Sequence, residues 1–171
     1  RSADLGPDDP SVIVFTSGST ARPKGVVHSQ RYLFGQSLQA EHWLGAKPGD
    51  LVWCTATPGW SKSSRNAFIA PWLRGAKALL VDQRFDPESR LETAREQGVN
   101  VLCQAPSEYR MLARRTDLAP TPSIHRMVSA GEALNTEVID AFRSATGLSI
   151  ADGYGQTETG SVTGMRPDDE P

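Results

Sequence analysis

Short apolar runs alternate with helix-forming segments along this chain, and this alternation limits the fold more than any other feature. The runs are rich in β-branched and aromatic residues, as buried strands are. They lie at 12–15, 51–54, 78–81, 99–103, 126–129 and 148–151. Amphipathic or proline-initiated segments predict helices at 32–44, 67–73, 87–97, 108–115 and 136–146. The alternation predicts an α/β fold with a mostly parallel sheet covered by helices.

Polar loops follow several of the predicted strands. They lie at 16–25, 56–62, 129–134 and 152–160. Ligands of parallel sheets bind outside the carboxyl ends of the strands. The sequence therefore predicts that these loops meet and form the functional site.

Composition excludes several classes of protein. The 171 residues, 38% hydrophobic and 22% charged, suit one globular domain. A net charge of −2 gives no support for a nucleic-acid surface. No apolar run approaches the roughly 20 residues of a membrane span, and no signal-peptide core follows Arg1, which favours the cytoplasm. Cys54 and Cys103 lie far apart without a C-x-x-C motif, so we expect buried free thiols and no zinc site.

The loop after the first predicted strand has the composition of a phosphate-binding loop. Residues 16–26 contain four hydroxyl side chains, two glycines and Lys24. Backbone N–H groups, hydroxyls and a lysine all donate to phosphate oxygens. Lys24 precedes Gly25, which is not the order of a Walker loop. Composition alone leaves open a polyphosphate site or an ordinary Ser/Thr-rich turn.

The segment 152–160 combines glycines with chemically active side chains. Tyr154 can stack on a purine, and the Thr157 hydroxyl can meet a phosphate. The Glu158 carboxylate is a natural ligand for Mg²⁺ beside phosphates. On its own such a segment is also typical of a surface turn.

Three motifs in order resemble the adenylate-forming (AMP-binding) enzyme superfamily. They are Thr16-Ser17-Gly18-Ser19-Thr20-Ala21-Arg22-Pro23-Lys24-Gly25, Ser129-Ala130-Gly131-Glu132 and Tyr154-Gly155-Gln156-Thr157-Glu158. Ala21 stands where the family usually has glycine. The chain is most similar to medium-chain acyl-CoA synthetases, with aryl-CoA ligases close behind. The resemblance runs from about residue 11 to 165 and includes the strings 24–29, 58–60 and 105–112.

This resemblance implies an ATP site with assigned residues. The β- and γ-phosphates would be held by Thr16, Ser17, Gly18, Ser19, Thr20 and Lys24. The adenosine would be lined by Gly131, Glu132, Ala133, Asp152, Gly153, Tyr154, Gly155 and Gln156, with Asp152 on the adenine amino group and Tyr154 stacked on the ring. Thr157 would contact the α-phosphate and Glu158 would hold Mg²⁺; with Lys24 these are the implied catalytic residues.

The implied reaction joins a carboxylic acid to coenzyme A through an acyl-adenylate, with ATP and Mg²⁺. Trp60 would stand at the mouth of the acyl pocket, and Gln104 would influence its depth. Trp60 and the run 101–106 are expected to supply mainly apolar walls, and no lysine, arginine or acid stands out in these pocket segments beyond the phosphate motifs. These features favour a medium-chain fatty acid or an aryl acid, hence a role in fatty-acid metabolism. The expected partners are small molecules.

Family members also contain an aspartate that grips the ribose, a hinge, and a C-terminal lid with a catalytic lysine. None of these is found after Gly160. We therefore expect residues 1–171 to be a single AMP-binding subdomain, truncated at both ends, that lacks the lid and is inactive alone. Two alternatives stay open: a non-catalytic ATP- or AMP-binding module, and another adenylating enzyme such as a peptide-synthetase adenylation domain or a luciferase-like enzyme.

Overall fold

A computed structural model describes residues 3–16 and 22–166. The strands are β1 (Pro10–Thr16), β2 (Lys24–Ser29), β3 (Leu51–Cys54), β4 (Lys77–Ala78), β5 (Val101–Gln104), β6 (Arg126–Ala130), β7 (Ile150–Gln156) and β8 (Gly160–Gly164). The helices are α1 (Arg31–Gln39), α2 (Ser61–Ser63), α3 (Ala70–Leu73), α4 (Pro87–Glu96), α5 (Pro106–Arg115) and α6 (Thr136–Thr146). One π-helical segment, Ala40–Leu44, continues α1, and a second, Ser64–Ile69, joins α2 to α3.

The central sheet confirms the predicted fold class. Its strand order within the described residues is β4-β3-β5-β6-β7-β8. The first five of these strands run parallel, and β8 is antiparallel to β7. The loops after β3, β5 and β6 therefore open at one edge, as parallel strands require.

Helices cover both faces of this sheet, because successive residues of a strand point to opposite sides. In β5, Val101 and Cys103 belong to one core, which includes Trp43 of the first π-helical segment. Leu102 belongs to the other, where the Tyr109 and Phe142 rings meet edge to face at 5.3 Å. Cys54 and Cys103 are both free and buried, as expected.

Local signals set the ends of the long helices. The Asp86 carboxylate caps α4 by accepting from the Ser89 backbone N–H at 2.9 Å. Helix α6 spans the predicted residues and ends at Gly147, whose φ of +76° suits a glycine after a helix. Other bounds were wrong: the helical stretch predicted at 67–73 begins at Ser61, and β4 is shorter than the predicted 78–81. Ser29 closes β2 and does not cap α1, which begins after Gln30.

The prediction of a buried first strand was wrong. Strand β1 pairs antiparallel with β2 in a separate two-stranded sheet. Its side chains Ile13 and Phe15 are 55% and 66% exposed. An apolar β-branched run specifies an extended backbone, but burial depends on what packs against it. The hydroxyl-rich loop thus joins the strands of this hairpin and does not leave the parallel sheet.

The segment predicted as a loop at 152–160 is mostly strand. Strand β7 continues to Gln156 and turns into β8, and the glycines permit this close pairing. A Cβ at Gly153 would lie 2.5 Å from the Trp43 indole nitrogen, and one at Gly155 would overlap the Gly160 carbonyl. The glycine and polar residues of this segment predicted a turn because their intrinsic strand propensity is low. Here tertiary pairing overrides that propensity.

We expect the substitution Gly155→Ala to destabilise the protein by about 3 kcal/mol, since the added methyl group forces β7 and β8 apart. Gly35→Ala is the matched control, because Gly35 lies in α1 with no atom near its missing Cβ. That control should gain roughly 0.5–1 kcal/mol from helix propensity. Urea denaturation measures both. Equal stability of Gly155→Ala and the wild type would contradict the tight hairpin.

Candidate active site

A cleft of about 700 Å³ opens at the carboxyl edge of the sheet. The β1–β2 hairpin, the start of α2, and the ends of β6 and β7 form its walls. Seven of the residues predicted for the site line it: Thr16, Trp60, Gly131, Gly155, Gln156, Thr157 and Glu158. Chain segments up to about 140 residues apart therefore meet at one place, as the motif order predicted.

Thr157 is held in the cleft by the start of α2. Its hydroxyl donates to the Ser61 hydroxyl at 3.1 Å. The buried Arg65 guanidinium donates to that same Ser61 oxygen at 3.3 Å and to the Gln156 carbonyl at 3.3 Å. These bonds fix the β7–β8 turn, which carries Glu158 at its exposed tip. Sequence reasoning missed Ser61 and Arg65, although both closely follow Trp60.

Lys62 joins the ends of two central strands. Its ammonium donates to the carbonyls of Gln104 in β5 and Ala130 in β6, both at 2.8 Å. The residue is only 7% exposed and lines the cleft, so a positive charge lies at this edge. The expectation that no lysine or arginine belongs to the pocket segments was wrong. Sequence reasoning missed Lys62 because the segment 56–62 was predicted as a polar loop, where a lysine is ordinarily solvated.

Asp152 has an unfulfilled hydrogen-bonding capacity. Its Oδ1 atom is buried and has no partner among the residues that the structure describes. Partial burial raises the pKa of this carboxyl, while backbone hydrogen bonds from Gly153 and Leu134 and the charge of Lys62 oppose the rise. A carboxylate in this state favours a ligand that donates a hydrogen bond.

The loop after β6 is tied to α5 by Arg110. Its guanidinium donates to the Glu132 carboxylate at 2.7 Å and to the Ala133 carbonyl at 3.2 Å. The Arg110 contact holds the pKa of Glu132 below its usual range. The Glu132 side chain therefore faces α5, which leaves only backbone atoms of this loop for a ligand. Gly131, with a φ of +111°, lines the cleft itself.

Several predicted site residues lie outside the cleft wall. Lys24 begins β2 opposite Thr16 and is exposed. Gly153 backs onto Trp43, and Tyr154 is 59% exposed. Ser17, Gly18, Ser19, Thr20 and Ala21 lie outside the described residues.

Gln104 was expected to influence the depth of the acyl pocket, and this stays a prediction. Its side chain is fully buried at the end of β5 and is not part of the cleft wall. The run expected to supply apolar walls also lies behind this cleft, since Val101, Leu102 and Cys103 pack into the two cores. The apolar side chains of a central strand pack against the helices that cover both faces of the sheet.

Glu158 is the only acidic side chain that lines the cleft within the described ranges. Those ranges also contain no group of three or more His, Cys, Asp or Glu side chains placed to hold a metal. In the same part of the chain, no helix has the length and apolar character needed to cross a bilayer.

The fold and the cleft together define an α/β protein with a cleft at the carboxyl ends of parallel strands, where such folds bind their ligands. The family model described as "AMP-binding enzyme" matches residues 1–171. The chain belongs to the AMP-binding enzyme family, and the resemblance stated from its motifs is confirmed.

Two sequence relatives and one solved structure that resemble the chain are all named as acyl-CoA ligases or synthetases. An uncharacterized acyl-CoA ligase of Bacillus subtilis, YtcI, is 40% identical over 98% of the chain and 32% of its own length. The human mitochondrial acyl-coenzyme A synthetase ACSM3 is 37% identical over 90% of the chain and 28% of its own length. The crystal structure of a Brucella canis acyl-CoA synthetase superposes with a TM-score of 0.87 at 29% identity, covering 98% of this chain and 31% of that one. The chain thus spans about a third of the length of these relatives.

Proposed function

We propose that this chain forms the nucleotide- and acyl-binding core of an AMP-forming acyl-CoA synthetase. A carboxylic acid attacks the α-phosphorus of ATP, which gives an acyl-adenylate and pyrophosphate; the thiol of coenzyme A then displaces AMP. The observation that carries the proposal is the meeting of Thr16, Trp60, Thr157 and Glu158 in one cleft. The names of the relatives, acyl-CoA ligase and acyl-coenzyme A synthetase, support it.

In this reaction the protein contributes mainly by positioning the reacting groups and by compensating negative charge. A carboxylate is already nucleophilic, so no general base is needed, and the groups must be aligned in line at the phosphorus. In the ATP complex Thr157 exchanges its hydroxyl bond to Ser61 for one to the α-phosphate, and Ser61 and Arg65 position it beforehand. The buried charges of Lys62 and Arg65 lie beside the same cleft and offset developing negative charge.

The adenosine part of ATP fits the residues at the ends of β6 and β7. Asp152 lies in β7 next to this edge but off the cleft wall, and its assignment to the adenine amino group rests on the family resemblance. Tyr154 is exposed and offers a ring face for stacking. Gly131, Glu132 and Ala133 contribute backbone atoms, since Arg110 holds the Glu132 side chain away.

The residues present also fit a magnesium ion that accompanies ATP. The Glu158 carboxylate is exposed on the cleft and makes no ion pair in the described part of the chain. Mg²⁺ is commonly bound by one or two carboxylates together with substrate phosphates. Glu158 would hold it, and the ion would neutralise phosphate charge.

We further propose that residues 1–171 are one AMP-binding subdomain of a longer enzyme whose lid supplies the catalytic lysine. The chain's coverage of about a third of its relatives supports this. The cytoplasmic location stays a prediction. The test is acid-dependent exchange of pyrophosphate into ATP, with the full-length enzyme and with the 171-residue chain. Exchange by the full-length enzyme alone is the expected result, and nucleotide binding without exchange in both would favour the binding module.

We expect Asp152→Asn to weaken ATP binding by about 10- to 100-fold, because a hydrogen bond to a charged acceptor is lost. The folded-state pKa of Asp152 is raised, so its ionised form disfavours folding as the pH rises through that pKa. The same variant should therefore unfold at an equal or higher temperature at neutral pH. Calorimetric titration with ATP and thermal unfolding measure the two effects. Asp140→Asn, on the exposed face of α6, is the control.

A further inference from the structure

The inner end of the cleft is polar where a hydrocarbon pocket was expected. Asn66 and Trp43 line the cleft at this end and are 3% and 4% exposed. Behind Asn66 lie two further buried amides, Gln36 and Gln39, one turn apart on α1. Burying a polar side chain costs free energy unless it is hydrogen-bonded, so the Asn66 amide on the wall is an unfavourable contact for a hydrocarbon tail.

Hydrogen bonding within this cluster is incomplete. The Gln39 amide nitrogen donates to the Asn66 amide oxygen at 2.6 Å. The side-chain carbonyl oxygens of Gln39 and Gln36 are buried and accept from no group in the described residues. The Asn66 amide nitrogen, on the cleft wall, has no acceptor among them either, so it offers a donor to a ligand in the cleft, while the Gln36 and Gln39 oxygens lie behind that wall.

Neighbouring groups hold the cluster in place. The Gln36 amide nitrogen packs closely against Gly160, the first residue of β8, where a Cβ would lie 3.0 Å from it. The Arg65 side chain, bound to Gln156 and Ser61, lies next to Asn66 in the sequence and on the same cleft. The apolar part of the lining comes from the rings of Phe15, Trp43 and Trp60.

We infer that the acid activated in this cleft carries a hydrogen-bonding group, a hydroxyl or an amide, at the end of its tail away from the carboxylate. The rings contact the body of the tail, and the terminal group accepts a hydrogen bond from the Asn66 amide nitrogen, whose orientation the Gln39 amide holds from behind. This inference rests on the proposed function and replaces its plain hydrocarbon substrate with a polar-tailed one. A hydroxyl suits the cluster because it donates one hydrogen bond and accepts two.

The test compares acids of equal shape with the full-length enzyme. One pair is para-hydroxybenzoate with para-methylbenzoate, and the other is a straight-chain alkanoate with the ω-hydroxy acid that has hydroxyl in place of its terminal methyl. Pyrophosphate release gives kcat/KM for each acid. We expect at least one hydroxyl acid to exceed its methyl partner by about tenfold or more, the value of one net hydrogen bond in a buried site.

Substitutions then test whether the buried amides cause the preference for hydroxyl acids. Asn66→Leu and Gln39→Met keep the side-chain size and remove the amide; either should bring the ratio to one or below. Gln97→Met, at an exposed position after α4, should leave it unchanged. Thermal unfolding confirms that each variant is folded, and Gln39→Met serves if Asn66→Leu does not fold.

The outcomes separate the two proposals. Release of pyrophosphate with methyl acids equal to or better than hydroxyl acids overturns the polar-tail inference and leaves the synthetase function standing. A hydroxyl preference that persists in both variants overturns the role of Asn66 and Gln39. No acid-dependent pyrophosphate release with any acid overturns the proposed function and the inference with it.

Discussion

Replacing Glu158 by glutamine is expected to lower kcat of the full-length enzyme by about 10²–10³, the usual loss for one preorganised electrostatic group. Glu158 is the only acid lining the cleft in the described residues, so no second carboxylate there can take its place. Glutamine keeps the size and the turn but is a much weaker magnesium ligand. The measurement is the initial rate at saturating ATP over a range of Mg²⁺ concentrations, where Glu158→Gln should also need more Mg²⁺.

Lys24→Ala is the comparison variant, and its kcat should fall far less than that of Glu158→Gln. Lys24 lies at the exposed start of β2, off the described wall of the cleft, and carries a mobile charge suited to the departing pyrophosphate. Glu137→Gln, in the first turn of α6, is the matched control for the glutamate change. Equal losses for Glu158→Gln and Lys24→Ala, or an unchanged Mg²⁺ requirement, would show that Glu158 is not the metal ligand.

Lys62→Met should be the most damaging single substitution for the architecture of the site. Removing the ammonium takes one donor from the Ala130 carbonyl and one from the Gln104 carbonyl, which keeps only the longer bond from the Ser129 hydroxyl at 3.3 Å. Hydrogen bonds from charged groups contribute about 1.5–3 kcal/mol each, so we expect a loss of about 3 kcal/mol in the free energy of unfolding. Because these carbonyls end β5 and β6, the loops that follow should also lose their positions and kcat/KM should fall.

Chemical denaturation and steady-state kinetics of Lys62→Met measure these two effects. Lys77→Met, on the exposed edge strand β4, is the control and should change stability by less than about 0.5 kcal/mol. A Lys62→Met protein as stable and as active as the control would mean that the two carbonyls find other donors. It would then remove Lys62 from the account of the site.

The sequence by itself determined the fold class and the order of the motifs. Periodicity and end signals predicted α6 at the residues where it lies, and placed β3, β6 and α4 to within one residue. The motifs predicted that Thr16, Trp60 and Glu158 meet in one cleft. For Trp60 and Glu158 the reason is that parallel strands end at a common edge, whereas Thr16 reaches the cleft from the separate hairpin. These features are local, and a single sequence records them directly.

Tertiary structure alone decided which strands are buried and which partners the polar side chains meet. The apolar β1 lies exposed in a hairpin, and the glycine-rich segment predicted as a loop pairs with β8. Lys62 reaches carbonyls 42 and 68 residues away, and Gln39 meets Asn66 across 27 residues. A residue type states what bonds a side chain can make, but strand order, register and helix packing decide which group stands within reach. The charge and polarity of the cleft therefore appear only when the chain is folded.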